Sequence, residues 1–146
     1  MPAITRDLNV IARCGNQFRT ALLFEHGISA AQAPYILHIC VKPGMSQEQL
    51  ANALHVNPSN ATRQLSVLES QGYIKRNTCT HDKRLIELFP TDKAIAAEPL
   101  IRDINRQWHD YLTHSFESEE LAALEVMLEK MRALAIAWDK KDGSTE

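Results

Sequence analysis

The chain has 146 residues, of which 45% are hydrophobic and 23% are charged, so it is long enough for one domain with a buried core. Its formal net charge of −2 excludes nucleic-acid binding driven by overall positive charge. The charge is uneven, because residues 46–90 carry five Lys/Arg and four Asp/Glu, whereas residues 91–146 carry seven and twelve. Any nucleic-acid surface must therefore be a small local basic patch outside the C-terminal segment.

No stretch of the sequence is apolar for long enough to span a membrane, and no charged-then-apolar N-terminus suggests secretion. The three cysteines stand at scattered positions, which fits a reducing compartment better than a disulfide framework. We therefore expect a cytoplasmic protein.

The first 45 residues predict two helices. Ser29 and Gln32 form a capping-box pattern before the second of them, and Pro34 falls a turn inside that helix, which predicts a tight or bent first turn. The sequence Lys42-Pro43-Gly44 ends it. The first helix is expected from about Thr5 to Phe24 and carries these apolar residues at helical spacing: Leu8, Ile11, Ala12, Phe18 and Leu22.

Two further helices with clear start signals follow. Ser46 with Gln49 three residues later is a second capping-box pattern, before Leu50 and Leu54 on the inner face. Asn57 can cap the next helix while Pro58 occupies its first position, where a missing N–H costs nothing. That helix should run from Pro58 to about Gln71.

The helix from Pro58 has two chemically different faces. Ala61, Leu65 and Leu68 share a stripe that must be buried. The residues away from it are short and polar, together with Arg63, whose forked guanidinium matches the O6 and N7 acceptors of guanine. A polar outer face often means only solvent, and solvent contact stays the alternative to DNA contact. The outward set is Ser59, Asn60, Thr62, Arg63 and Ser66.

A basic β-hairpin is expected directly after this helix. Gly72 stands where the helix end needs a left-handed residue, and an extended stretch begins at Tyr73. The returning strand, 85–89, places Ile86 and Leu88 on one face and Glu87 on the other. Four cations surround the tip against one acid, Asp82, which favours DNA binding over a merely solubilising loop. These cations are Lys75, Arg76, Lys83 and Arg84.

From Thr91 onward, apolar spacings of three and four predict two long helices. Pro99 should start a straight portion of the first or kink it, and Ser118 with two acids after it begins the second. Neither helix can bury such a stripe alone, so each stripe either forms a dimer interface or covers the protein's own core. The stripes are Ile101, Ile104, Trp108 and Tyr111, then Leu121, Leu124, Leu128, Met131, Ala135 and Trp138.

In this order and spacing, the central motifs resemble the MarR-type winged-helix transcriptional regulators. That family's pattern runs from Thr/Ser-Gln-x-x-Leu-Ala, through Thr-Arg and Leu-Glu-x-x-Gly-hydrophobic-Ile/Val-x-Arg, to Asp-x-Arg and Leu-Thr-x-x-Gly. The matching segments here are 46–51, Thr62-Arg63, 68–76, 82–84 and 90–94. The last segment departs from the pattern, with Pro90 in place of Leu and Ala94 in place of Gly.

The resemblance implies a mainly α fold: a winged helix-turn-helix with a small β-hairpin wing, flanked by N- and C-terminal dimerisation helices. Residues 1–138 would form one domain, with the winged-helix part at about 30–90, dimerisation helices at about 5–25 and 91–138, and a polar tail at 139–146. The resemblance also implies that Arg84 enters the minor groove, where the potential is most negative. Asp82 would orient Arg84 or cap the turn, while His81 and Lys83 are candidate phosphate contacts.

The expected function is sequence-specific regulation of transcription by a homodimeric repressor that reads a near-palindromic operator and responds to a ligand. The family commonly binds small aromatic or phenolic anions between its DNA-binding and dimer parts, and Arg19, His38 and Trp108 are candidates for that pocket. A lone His or Trp on a helix is more often ordinary core or surface. No cofactor is expected.

Other classes of function fit the residues less well. A winged-helix protein-interaction module without DNA binding stays open because the central segment is only weakly basic. A redox-sensing regulator that uses Cys14 or Cys79 stays open too, whereas Cys40 is expected in the core. Cys79, His81 and Asp82 lie along one hairpin, where catalytic geometry is rare, so we expect neither an enzyme nor a metal site.

Overall fold

The computed structural model of the chain describes residues 2–142, with side chains described through Trp138. The described part is mainly helical with one antiparallel hairpin, which confirms the predicted fold class. Its elements are α1 (Ala3–Leu23), α2 (Ala33–Val41), α3 (Gln47–Leu54), α4 (Pro58–Ser70), β1 (Ile74–Thr78), β2 (Ile86–Pro90), α5 (Asp92–Thr113) and α6 (Ser118–Asp142). A single 3-10 turn, Phe24–His26, follows α1.

The predicted start signals of α3 and α4 are both confirmed. The Ser46 hydroxyl accepts a hydrogen bond from the Gln49 backbone N–H at 3.1 Å, and the Gln49 side chain accepts one from the Ser46 N–H at 3.0 Å. The Asn57 side chain accepts from the Ser59 N–H at 2.8 Å, with Pro58 in the first helical position. Both helices therefore begin where local chemistry satisfies their otherwise unpaired backbone donors.

The tight start of α2 predicted from Pro34 is confirmed, but Pro34 is the second residue of α2 and does not lie a turn inside it. Ser29 and Gln32 form both capping bonds, at 3.0 and 3.1 Å, but residues 30–32 form a turn and the α-helix begins only at Ala33. Gln32 is buried and its side-chain amide donates to the Gln71 side chain at 2.9 Å. This bond ties the start of α2 to the end of α4.

The wing has a simple register. Ile74 pairs with Pro90 and Thr78 with Ile86, and Gly72 before the hairpin has φ +80°, the left-handed conformation expected there. On its other edge, β2 exchanges backbone hydrogen bonds with the loop before α3, from the Gly44 N–H to the Leu88 carbonyl and from the Leu88 N–H to the Met45 carbonyl. The wing is therefore tied to the loop before α3 along the edge of β2 that does not pair with β1.

The chain divides into two compact units, and the first, which ends at Trp108, contains one hydrophobic core. Leu65 and Leu68 of α4 are fully buried in it, and Ala61 is almost so, as predicted. The predicted stripe on α1 behaves differently, because Leu8, Ile11 and Leu22 are exposed. The largest fully buried side chains are Leu23, Ile36, Ile39, Leu50, Leu65, Leu68, Ile74, Leu88 and Ile101.

The second unit begins at residue 109 and contains the end of α5 and all of α6. Glu117 precedes α6, and its N–H donates to the Glu120 side chain at 3.0 Å. The helix continues through Asp142, so residues 139–142 of the predicted polar tail are helical. Residues 143–146 of that tail lie outside the described residues. Within the described range, we find no helix that combines the length and apolar character needed to cross a membrane.

The buried stripe of α4 gives a first prediction. Leu65→Ala should lower the free energy of unfolding by about 2–5 kcal/mol, because it removes a fully buried side chain and leaves a cavity. Val67→Ala, two residues away at a position that is 39% exposed, should cost less than about 1 kcal/mol. Urea denaturation followed by circular dichroism measures both; equal losses for the two variants would contradict the assigned faces of α4.

Candidate nucleic-acid interface

The outward residues of α4 lie where the sequence predicted them, because the buried stripe fixes the rotation of the helix. Ser59, Asn60, Thr62, Arg63 and Ser66 are all exposed. These five residues, here called the recognition surface, form a polar strip of mostly short side chains from the first turn of α4 to its middle, with Arg63 as its one cation. This surface can bring hydrogen-bonding groups close to a nucleic-acid base.

Two of these hydroxyls are already hydrogen-bonded within the protein. Thr62 donates to the Pro58 carbonyl at 3.0 Å and accepts from the Gln47 side-chain amide at 3.3 Å. Ser66 donates to the Thr62 carbonyl at 3.0 Å and accepts from Arg76 at 3.0 Å. A hydroxyl has a single hydrogen to donate, so in this conformation both residues can offer an outside partner only an acceptor lone pair.

The tip of the wing carries exposed charge. His81, Lys83 and Arg84 are all exposed, and the Asp82 carboxylate accepts a hydrogen bond from the Arg84 backbone N–H at 3.0 Å. The Leu85 N–H also donates to the Asp82 carbonyl at 3.0 Å, so Asp82 caps the turn that presents Arg84. The sequence suggested that Asp82 orients Arg84 or caps the turn, and the structure shows the cap.

Arg76 has a role that the sequence reading missed, because it was counted only as one of four hairpin cations. Its side chain is 19% exposed and pairs with the Glu69 carboxylate at 3.3 Å. It also donates to the Gln47 side chain at 3.2 Å and to Ser66 at 3.0 Å. A signal was present: Arg76 stands two residues after buried Ile74, so strand alternation places both on the inner face of β1.

The wing and the recognition surface of α4 share one cavity. It has a volume of about 410 Å³ and opens between α3, the start of α4 and the end of the wing. Gln47, Thr62 and Arg84 all line it, so Arg84 lies on the same side of the molecule as Thr62. Thr62 on the polar face of α4 and Arg84 at the wing therefore border the same opening.

The structure brings together two of the three candidate effector residues. Arg19 and His38 line a cavity of about 440 Å³ with Asn16 and Asn105. His38 Nδ1 lies 2.9 Å from the Pro34 carbonyl oxygen, and Arg19 donates to the Asn16 side chain at 3.2 Å. Trp108 does not line this cavity.

The Trp108 ring instead packs on Phe18, with 5.2 Å between the ring centroids. It also lies close to Gly15, where an added Cβ would come within 3.0 Å of the indole nitrogen. Gly15 therefore permits the close approach of α1 and α5 beside the cavity.

The cysteines differ in exposure and none forms a disulfide in the structure. Cys14 is exposed, whereas Cys40 and Cys79 are half-buried, and Cys40 packs against the core as expected. Among the residues whose side chains are described, no three His, Cys, Asp or Glu residues are grouped so that they could hold a metal ion.

Comparison with known proteins decides the family. The MarR family profile matches residues 26–85. The HTH-type transcriptional regulator BilQ of Clostridium symbiosum (strain WAL-14163) is 30% identical over 109 residues, which cover 75% of this chain and 76% of BilQ. The chain belongs to the MarR family of transcriptional regulators. The predicted resemblance is therefore confirmed.

Two further proteins match almost the whole of this MarR-family chain. The uncharacterized HTH-type transcriptional regulator YybA of Bacillus subtilis (strain 168) is 29% identical over 90% of this chain and 88% of its own. A MarR-family regulator from Listeria monocytogenes, solved in complex with a 26-mer DNA, is 27% identical and covers 100% of this chain and 98% of its own, with a TM-score of 0.91. The likeness thus extends well beyond the winged helix.

The environment of Cys40 gives a second prediction. Burial raises the pKa of the Cys40 thiol from its ordinary value of 9.0, Glu98 raises it further, and Arg102 acts in the opposite direction. Since the thiolate is the reactive form, native Cys40 should be alkylated by iodoacetamide at pH 8 severalfold more slowly than Cys40 of the urea-unfolded chain. Peptide mass spectrometry measures both rates. Equal rates would show that the thiol is neither shielded nor raised in pKa.

Proposed function

We propose that this MarR-family chain is a sequence-specific DNA-binding regulator that acts as a homodimeric repressor on a near-palindromic operator. The observation that carries the proposal is that Thr62, on the exposed polar face of α4, and Arg84, at the exposed cationic wing tip, line the same cavity. The crystallised DNA complex of the Listeria relative supports it, since that protein shares the fold over its whole length.

In this proposal α4 reads bases in the major groove. Arg63 donates to guanine, while Asn60 and Ser59 contact neighbouring base edges or phosphates from the first turn of the helix. These three side chains make no hydrogen bond within the described residues, so they can reorient toward DNA. Thr62 contributes its methyl group and Ser66 a lone pair, because their hydroxyl hydrogens donate to backbone carbonyls.

The wing supplies the second contact. Arg84 enters a narrow minor groove, and Lys83 and His81 approach phosphates on either side. The Asp82 cap holds the turn, so Arg84 does not have to be ordered from a flexible loop on binding. Because Arg76 is paired with Glu69, the cations free to meet phosphate at the wing are Lys75, Lys83 and Arg84. Binding therefore depends on few charges and falls with salt.

A second copy of the chain is the proposed partner of the exposed apolar side chains on the terminal helices. Isolated exposed apolar residues are ordinary, but rows of them at helical spacing mark an interaction surface. On α1 they are Ile4, Leu8, Val10, Ile11 and Leu22, and on α6 they are Val126, Met127, Leu128, Met131, Leu134 and Trp138. To read successive major grooves, the two recognition helices of the proposed dimer would have to lie about 34 Å apart, one turn of DNA.

The cavity beside Arg19 and His38 is the proposed effector site. Its two basic side chains and the amides of Asn16 and Asn105 suit a small aromatic or phenolic anion. The cavity lies between α1, α2 and α5, and α2 packs against α3 and β2. An anion bound there would act on DNA affinity through the position of α2.

Two arginine variants test the DNA-reading roles. Arg84→Ala should weaken binding to most duplexes, by roughly tenfold or more, because it removes a contact that does not depend on hydrogen bonds to bases. Arg63→Ala should also relax base preference, by about 1–3 kcal/mol at one position. Fluorescence anisotropy against the gene's own upstream DNA and a scrambled duplex measures both effects.

Arg106→Ala is the matched control, since Arg106 is an exposed arginine on α5 that pairs with Asp103. It should bind as the wild type does. If neither Arg63→Ala nor Arg84→Ala differs from this control, the assigned contacts are wrong; if the wild type shows no salt-dependent duplex affinity, the DNA-binding proposal itself fails.

A pair of charge substitutions tests the dimer. Leu134 is 73% exposed in the single chain, and Leu134→Glu should shift the protein toward monomer because it places a carboxylate in an apolar interface. Arg132→Glu introduces the same group about 200° further round α6 and should leave the dimer intact. Sedimentation equilibrium at micromolar concentration distinguishes them. A wild type that is already monomeric would rule out the proposed pairing.

A further inference from the structure

Arg76 is the centre of a polar network that joins three elements. Its Nη1 donates to Gln47 of α3 at 3.2 Å, and its Nη2 donates to Ser66 of α4 at 3.0 Å. Its Nε and Nη2 both lie 3.3 Å from the Glu69 carboxylate, also on α4. Arg76 itself belongs to β1, so one guanidinium connects both helices of the helix-turn-helix to the first strand of the wing.

The network continues to the DNA-facing side of α4. The Gln47 side chain accepts from Arg76 through its oxygen and donates to the Thr62 hydroxyl through its nitrogen, at 3.3 Å. Gln47 thus relays the position of Arg76 to a residue of the recognition surface. Because an amide has a fixed donor end and a fixed acceptor end, this arrangement allows only one orientation of the side chain.

All three guanidinium nitrogens of Arg76 are used within the protein, and its charge is neutralised by Glu69. With 19% of its side chain exposed, Arg76 is poorly placed to contact a phosphate directly. A planar fork that bonds several acceptors at once constrains geometry more strongly than a lysine ammonium would. Its position therefore suits orientation of the wing rather than contact with DNA.

We propose that Arg76 is a positioning residue for DNA binding, which holds the wing at a fixed angle to the recognition helix through Glu69, Ser66 and Gln47. The inference rests on the proposed function and adds residues that would not touch DNA. Without the network, the wing would still be attached through the β1–β2 pairing and through the bonds of β2 to the loop before α3. The direct link from β1 to α3 and α4, which fixes the angle between Arg84 and Arg63, would be lost. Affinity for a site that needs both contacts would then fall.

Removing the acid gives a test in which positioning and simple electrostatics predict opposite signs. Glu69→Gln deletes a negative charge near the DNA-facing surface, so charge alone would leave binding unchanged or strengthen it. Positioning predicts weaker binding, by roughly three- to tenfold, because the amide cannot anchor the guanidinium as a carboxylate does. Glu48→Gln is the matched control: Glu48 is an exposed acid on α3 that lines the cavity with Arg84, and no network bond involves it.

Arg76→Lys completes the experiment, because it keeps the charge and removes the fork. Anisotropy titrations at several salt concentrations should show about tenfold weaker binding to the protein's own upstream duplex with an unchanged salt slope. Thermal melts followed by circular dichroism confirm that each variant is folded. If Arg76→Lys does not fold, the affinity of Glu69→Gln alone tests the positioning role. Affinity of Glu69→Gln equal to or above that of Glu48→Gln would overturn the proposal.

A measurement without DNA separates this inference from the proposed function. Hydrogen exchange of the backbone amides of 74–78 should be severalfold faster in Glu69→Gln than in the wild type or Glu48→Gln. Faster exchange together with a wild type that binds no duplex would contradict the proposed function while leaving the link between wing and helix in place. Unchanged exchange would overturn the positioning role whatever the DNA titrations show.

Discussion

Burial of one face of α4 is the constraint on which the candidate interface depends. Leu65 and Leu68 are fully enclosed, and Ala61 at the same face leaves room for close approach of the neighbouring elements. Once that stripe is buried, the rotation of α4 about its axis is no longer free. Arg63 and its polar neighbours then have to face outward. The chemistry of the recognition surface is thus a consequence of core packing, even though none of its residues belongs to the core.

The local chemistry of the central region could be predicted from sequence because each signal acts within a few residues. Ser46 and Gln49 satisfy each other, Asn57 caps α4, and Gly72 takes a left-handed conformation, all without a distant partner. The inner face of α4 followed from spacing alone. The role of Arg76 could not be predicted in this way, because its partners lie 7, 10 and 29 residues away in sequence and only the fold brings them together.

The terminal helices show a different limit. Periodicity predicted α1, but its apolar stripe is largely exposed, whereas Leu23 at its C-terminal end is buried. Apolar residues at helical spacing indicate that a helix has an apolar face, but they do not indicate which surface covers that face. In α4 the cover is the same chain's core. In α1 and α6 the exposed side chains have the composition of an interface, which is why the dimer belongs to the proposed function and not to the fold.

The net charge of −2 is compatible with the proposed interface because charge acts locally near DNA. Glu69 neutralises Arg76, so this arginine no longer attracts phosphate. In return, its paired guanidinium holds the side chains of Glu69, Gln47 and Ser66 in place. The remaining exposed cations are few, so non-specific attraction to phosphate is modest. In the proposed interface, selectivity would come from the fixed relation between α4 and the wing, because a duplex that satisfied only one of the two contacts would be bound weakly.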